Sequence, residues 1–148
     1  MTGYRTIIAA VDFADSVDHV VERAAELARH DRARLHLLHV VESLPPIVVG
    51  DEPVPPVNTG IDEGELSKQA RGRLRDIVAR LDLEDCDVHV VTGTPKFEII
   101  ELANALAADL IVLGSHGRHG ISRLLGSTAS AILHHAPCDV LAIRLKGQ

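Results

Sequence analysis

Thr6-Ile7-Ile8-Ala9-Ala10-Val11, at residues 6–11, is an apolar run with no alternation of polar and apolar positions. A strand with one wet face alternates with a period of two, whereas a strand covered on both faces does not. The run therefore predicts a central strand of a parallel sheet. Downstream, Val17, Val20, Val21, Ala24, Ala25 and Ala28 recur at helical spacing. Arg29-His30 then place positive charge at the C-terminal end of that helix, where the dipole favours it. Leu35 to Val41 gives a second apolar strand, with His36 and His39 inside it.

The pattern breaks over 42–60, which holds five of the seven prolines: Pro45, Pro46, Pro53, Pro55 and Pro56. Proline fixes φ and donates no hydrogen bond, so a loop is expected there rather than a regular helix or a central strand. Helical spacing resumes with Leu66, Ala70, Leu74, Ile77, Val78 and Leu81, and Val88, Val90 and Val91 form a third strand. Thr94-Pro95 has the form of an N-cap followed by proline at the first helical position, opening a helix through Ile99, Ile100, Ala103 and Leu106. Asp109 starts a fourth strand, Leu110-Ile111-Val112-Leu113. A last helix runs from about Ser127 to His135 before Pro137, and Val140 to Ile143 is a fifth strand. The order βαβαβαβαβ predicts an α/β fold: a single doubly wound domain over 1–148, with a five-stranded, mainly parallel sheet and helices on both faces.

A chain of 148 residues suits one domain, and 46% hydrophobic with 24% charged residues is a globular composition. No apolar stretch reaches the length of a membrane span, and the N-terminus lacks the form of a signal peptide, so cytoplasm is the expected compartment. The net charge of -6 disfavours nucleic acid as a partner, because phosphate neutralisation needs clustered Lys and Arg. Cys86 and Cys138 lack any CxxC partner and read as packed thiols. Aromatic residues make up 2% of the chain, too few for base-stacking or flavin-stacking platforms.

Chemistry concentrates after the fourth strand. Gly114 and Gly117 allow backbone amides to approach a ligand, and Gly126-Ser127-Thr128 opens a helix whose N-terminus offers unpaired N–H groups. An anionic ligand, most simply a phosphate, fits both, with Arg118 or Arg123 supplying charge. The same residues also fit a plain strand-end turn in which Ser127 merely caps the helix, and the residues alone leave both readings open. The segment is neither GxxxxGK[ST] nor a GxGxxG opening a helix after the first strand. Among the nine histidines, His116, His119, His134 and His135 have no evident carboxylate or thiolate partner, so a protein-built metal site is not expected. A response regulator needs an aspartate ending strand three, where Thr92-Gly93-Thr94 stands. A flavodoxin needs a hydroxyl-rich loop after strand one, where Phe13-Ala14-Asp15-Ser16 stands.

Gly-Ser-His-Gly-Arg at 114–118 followed by Gly126-Ser127 resembles the GxxG, spacer, G[ST] signature of the ATP-binding universal stress proteins. Eight residues separate Gly117 from Gly126, one fewer than the family's usual nine. The resemblance extends to Ile8-Ala9-Ala10-Val11-Asp12, Leu38-His39-Val40, Gly93-Thr94-Pro95 and Pro137-Cys138-Asp139-Val140-Leu141, and so to nearly the whole chain. It implies that Ala10, Val11 and Asp12 line the adenine and ribose side, with Val40 contacting the base through its backbone. It places Leu113, Gly114 and Gly117 under the ribose and phosphates, and Gly126, Ser127 and Thr128 at the phosphate tail, with Arg118 nearby. The implied cofactor is ATP, with Mg²⁺ or Mn²⁺ carried on its phosphates. The implied function is that of an ATP-binding regulator of the stress response, paired as a homodimer through the last strand, with room for a further protein partner. The alternatives are a slow ATPase or nucleotidyl-transfer enzyme, for which no catalytic residue is assigned, and a dimeric scaffold that binds no nucleotide.

Overall fold

The computed structural model describes residues 3–13, 17–43, 47–54, 62–83, 85–115 and 126–144. The elements run β1 (Thr6–Ala10), α1 (Val17–Asp31), β2 (Arg34–Glu42), β3 (Ile47–Val49), β4 (Glu52–Val54) and α2 (Glu63–Arg80). They continue with β5 (Cys86–Gly93), α3 (Pro95–Leu106), β6 (Leu110–Gly114), α4 (Ser127–His135) and β7 (Asp139–Ile143). Five strands form one sheet in the order β5-β2-β1-β6-β7, with every neighbouring pair parallel. The chain is a single α/β domain, and among the described residues no helix is long and apolar enough to cross a membrane.

The absence of alternation in the strands has the expected cause. Ile7, Ala9, Leu35, Leu37, Leu110 and Val112 pack with Val20, Val21 and Ala24 of α1 and with Leu74 and Ile77 of α2. The intervening residues Ile8, Leu38, Val40, Ile111 and Leu113 pack with Ile99 and Ala103 of α3 and with Ala129 and Ile132 of α4. Each strand thus feeds two cores at once. Burying one Ile or Leu side chain is worth roughly 1.5–3 kcal/mol, so an apolar residue is favoured on both faces.

Local chemistry sets the element ends. The Asp62 side chain accepts a hydrogen bond from Gly64 N at 3.0 Å and caps α2, whose first turn carries Glu63 and Glu65 and whose last carries Arg80. Pro95 stands in the first turn of α3 as expected and Thr94 is its N-cap residue, but the Thr94 side chain makes no capping hydrogen bond. Asp109 lies just before β6 rather than inside it. Its Oδ2 accepts from Arg5 N and Thr6 N at 2.7 and 2.9 Å, tying the entrance of β6 to that of β1.

The loop expected over 42–60 needs correction. Glu42 ends β2, and β3 and β4 form an antiparallel hairpin separate from the main sheet, with Gly50 at φ +68 in its two-residue turn. Pro53 is tolerated because Val49 and Glu52 flank the turn and Val48 faces Pro53 in the next, non-hydrogen-bonded pair. There the missing N–H points away from the partner strand.

The outer strand β5 is fastened to β2 by a polar cluster. Arg34 donates twice to Asp87, at 2.8 and 2.9 Å, and His36 Nδ1 lies 2.9 Å from His89 Nε2, so one ring donates and the other accepts. Burial lowers the pKa of His36, with the neighbouring His89 and Arg34 adding to it against Asp87. Burial also lowers that of His89, with Arg71 adding and Asp87 opposing. Both rings are held below the ordinary 6.5, so the fold favours their neutral forms. Above 6.5 this costs nothing; below it the unfolded chain takes up protons that the folded one resists, and stability falls. Asp87, whose pKa Arg34 lowers from 3.8, would weaken the fold only at still lower pH. Melting temperature should therefore be level above about pH 7 and drop between about pH 6.5 and 5. In thermal denaturation followed by circular dichroism, His89→Gln should flatten that drop, and an equal slope in the variant would contradict the assignment.

Candidate functional site

From β1 the chain passes outward to β2 and β5, then returns to the other side of β1 to place β6 and β7. The reversal puts β1 beside β6, in the register Ile7↔Leu110, Ile8↔Ile111 and Ala9↔Val112. Open parallel sheets bind ligands outside the carboxyl ends of the strands at such a reversal. The residues at those ends are Ala10, which closes β1, with Val11 and Asp12 beyond it, and Leu113 and Gly114, which close β6, with Ser115 beyond them. Of the residues singled out from the sequence, the topology brings Ala10, Val11, Asp12, Leu113 and Gly114 to these two adjacent strand ends. Val40, on β2, is buried in the same core as Leu113.

The exit of β1 is held past the end of the strand. Val11 N donates to Leu38 O at 2.8 Å, and His39 Nδ1 lies 2.7 Å from Val11 O, to which it must donate because a carbonyl only accepts. Asp12 follows, exposed at the rim, and Phe13 then turns the chain with φ +59. A non-glycine residue in this left-handed region costs roughly 1–2 kcal/mol. The Phe13 ring offsets part of that by packing on His39, with centroids 4.3 Å apart, and under the Arg73 guanidinium, 4.0 Å from the ring centre.

On the other side, Ser115 links three elements. Its N–H donates to Ile143 O of β7 at 2.8 Å, and its carbonyl accepts from Gly126 N at 2.7 Å, which sets the start of α4 against the end of β6. Its side-chain hydroxyl is buried with no hydrogen-bond partner among the described residues. Gly126 is the N-cap residue of α4 and Ser127 is the first helical residue, so the reading in which Ser127 caps this helix does not hold. Among the described residues no side chain caps the first-turn N–H groups of α4, and Ser127 is exposed and Thr128 half-buried beside them. Gly126 has φ −63 and ψ 158, a conformation open to any residue, so the backbone angles do not demand glycine there. A missing side chain at a helix mouth instead permits close approach.

Gly117 and Arg118, together with His116, His119 and Arg123, lie outside the described residues. Among the described residues no three His, Cys, Asp or Glu side chains are grouped to hold a metal ion. Cys86 is a free, partly buried thiol whose pKa burial pushes up to about 11, and Cys138 is raised for the same reason, so neither is poised as a nucleophile. Ser115 was not among the site residues assigned from sequence, although it lies inside the glycine-rich segment. Its significance depends on burial against β7 and α4, which no local pattern encodes.

Residues 3–144 match the model of the universal stress protein family. The chain belongs to that family. As a universal stress protein it is 40% identical over 143 residues to universal stress protein A homolog 1 of Coxiella burnetii, covering 97% of this chain and 98% of the relative. Its fold is similar to that of the universal stress protein UspA from Lactobacillus plantarum, with a TM-score of 0.78 and 28% identity over 97% of this chain and 100% of that one. A universal stress protein solved in complex with cAMP shares the fold with a TM-score of 0.68 and 22% identity, covering 99% of each chain.

The buried hydroxyl makes this universal stress protein testable without any ligand. A hydroxyl buried without a partner carries a desolvation penalty of about 1–3 kcal/mol, which an apolar replacement removes. Ser115→Ala should leave the free protein as stable as the parent, or more stable, in urea unfolding. A loss of about 1 kcal/mol would show that the hydroxyl serves the fold instead.

Proposed function

We propose that this universal stress protein binds ATP across the carboxyl ends of β1 and β6, and that occupancy biases its conformation or assembly in a regulatory role. The observation that carries the reading is the N-terminus of α4, uncapped by any side chain among the described residues and set against the end of β6 by the bond from Gly126 N to Ser115 O. A helix N-terminus beside the carboxyl ends of the strands presents N–H donors and a positive dipole, for which an anion supplies the acceptor. The family member solved with cAMP lends support for an adenine nucleotide. In this reading Ala10, Val11 and Val40 flank the adenine, and the exposed Asp12 accepts a ribose hydroxyl. Leu113, Gly114 and Gly117 run beneath the ribose and phosphates. Gly126, Ser127 and Thr128 hold the phosphate tail, and Arg118 adds charge.

A Mg²⁺ or Mn²⁺ ion in this site would arrive on the phosphates and take its remaining oxygen ligands from water. The role assigned to the chain's own residues is binding and orientation, with no hydrolytic step. Binding to the folded state alone stabilises it by about 2.7 kcal/mol at a hundredfold excess over Kd, enough to shift a two-state equilibrium about a hundredfold. The proposed compartment is the cytoplasm. The proposed assembly is a homodimer in which the edge strand β7, with Val140, Leu141 and Ala142 only half-buried, pairs with its symmetry mate.

Calorimetric titration with ATP, ADP and AMP, with and without Mg²⁺, tests the site. Gly114→Val and Gly126→Val should each weaken ATP binding at least about tenfold, a cost of about 1.4 kcal/mol, while retaining the parent circular dichroism spectrum. Two folded variants that bind like the parent would refute the site, and a parent protein that binds none of the three would refute the function. Light scattering after size exclusion should give a dimer at micromolar concentration; monomer alone would rule out pairing through β7.

A further inference from the structure

The residues at the exit of β1 are held by a column of three side chains drawn from β2, the β1 exit and α2. His39, buried in β2, reaches Val11 O through Nδ1. The Phe13 ring lies against His39 with centroids 4.3 Å apart, and the Arg73 guanidinium of α2 lies over that ring at 4.0 Å. Asp12 sits between the two residues that the column grips: Val11 by its carbonyl and Phe13 by its ring. The φ of Phe13 is left-handed, and such a conformation persists only where surrounding contacts over-determine it. Val11 N is in turn fixed on Leu38 O, so β2 and α2 both hold the backbone that flanks Asp12.

We infer that Arg73, Phe13 and His39 form a positioning column that presets Val11 and Asp12 for the adenosine end of the ligand, making α2 a remote determinant of nucleotide affinity. The inference rests on the nucleotide reading above. Arg73 is exposed on α2, three residues from the buried Ala70 and next to the buried Leu74, which anchors that turn of the helix to the core. The column can therefore transmit the position of α2 to Asp12 through contacts that the phosphate side does not share. Its loss should weaken adenosine-end binding alike for nucleotides with one, two or three phosphates.

Titrations with ATP, ADP and AMP decide the matter when combined with amide hydrogen exchange of the ligand-free protein. Arg73→Ala should weaken all three nucleotides by a similar factor, roughly two- to fivefold as expected for an exposed cation–π contact, and Arg73→Lys should recover most of the loss. Phe13→Ala should weaken them further and speed exchange at Asp12 and Phe13. Arg75→Ala, an exposed arginine on the same helix, should change neither reading. By contrast, Gly126→Val should weaken ATP more than AMP. If the parent binds nucleotide and folded Arg73→Ala and Phe13→Ala bind it equally well, the column is overturned while the proposed function stands. If the parent binds no nucleotide, the proposed function falls and the positioning role falls with it. Should Phe13→Ala fail to fold, the Arg73→Ala loss and its recovery by Arg73→Lys decide alone.

Discussion

The rest of the structure depends on β1 being enclosed on both faces and both edges. Ile7, Ile8 and Ala9 have no exposed surface, because helices cover both faces and β2 and β6 cover the two edges. A strand in that position must be apolar at every residue, and its neighbours must be parallel so that the helical crossovers can provide the cover. Enclosing β1 from both edges also forces the chain to build one half of the sheet, return, and build the other. The reversal leaves a crevice between the strand ends of β1 and β6, where the chain leaves the sheet in opposite directions. The candidate site is a consequence of how the core is closed.

Much of this could be read from the sequence because the signals are local. Continuous apolar runs at 6–11, 35–41 and 110–113 and helical spacings at 17–28 and 66–81 fall within the observed elements or within a residue of them, since burial fixes those periods. The hairpin of β3 and β4 was not legible: proline reads as a breaker, and its tolerance at Pro53 depends on a cross-strand pairing that local spacing does not reveal. Thr94 shows the converse. It has the residue type of a cap and the position of one, yet the hydroxyl makes no capping bond.

The site divides along the same line. Glycines at 114 and 126 stand out from sequence because glycine carries backbone meaning by itself. Ser115 is an ordinary serine until β7 and α4 close over it, and His39, Phe13 and Arg73 are separated by 26 and 34 residues of sequence before the fold stacks them. Residues proposed to touch a ligand stand out as a motif. Those that hold the motif in place become visible only when strands and helices are assembled, because packing selects them and no local conformational preference does.

The register across the reversal has a mechanical meaning. Eight residue pairs join β2 to β5, five join β1 to β2 and five join β6 to β7, but only three join β1 to β6. The shortest seam in the sheet therefore runs between its two halves, directly below the crevice. Any molecule that grips both strand ends acts as a rivet across that seam, and the resistance of the two halves to being pulled apart becomes a property of what the crevice holds.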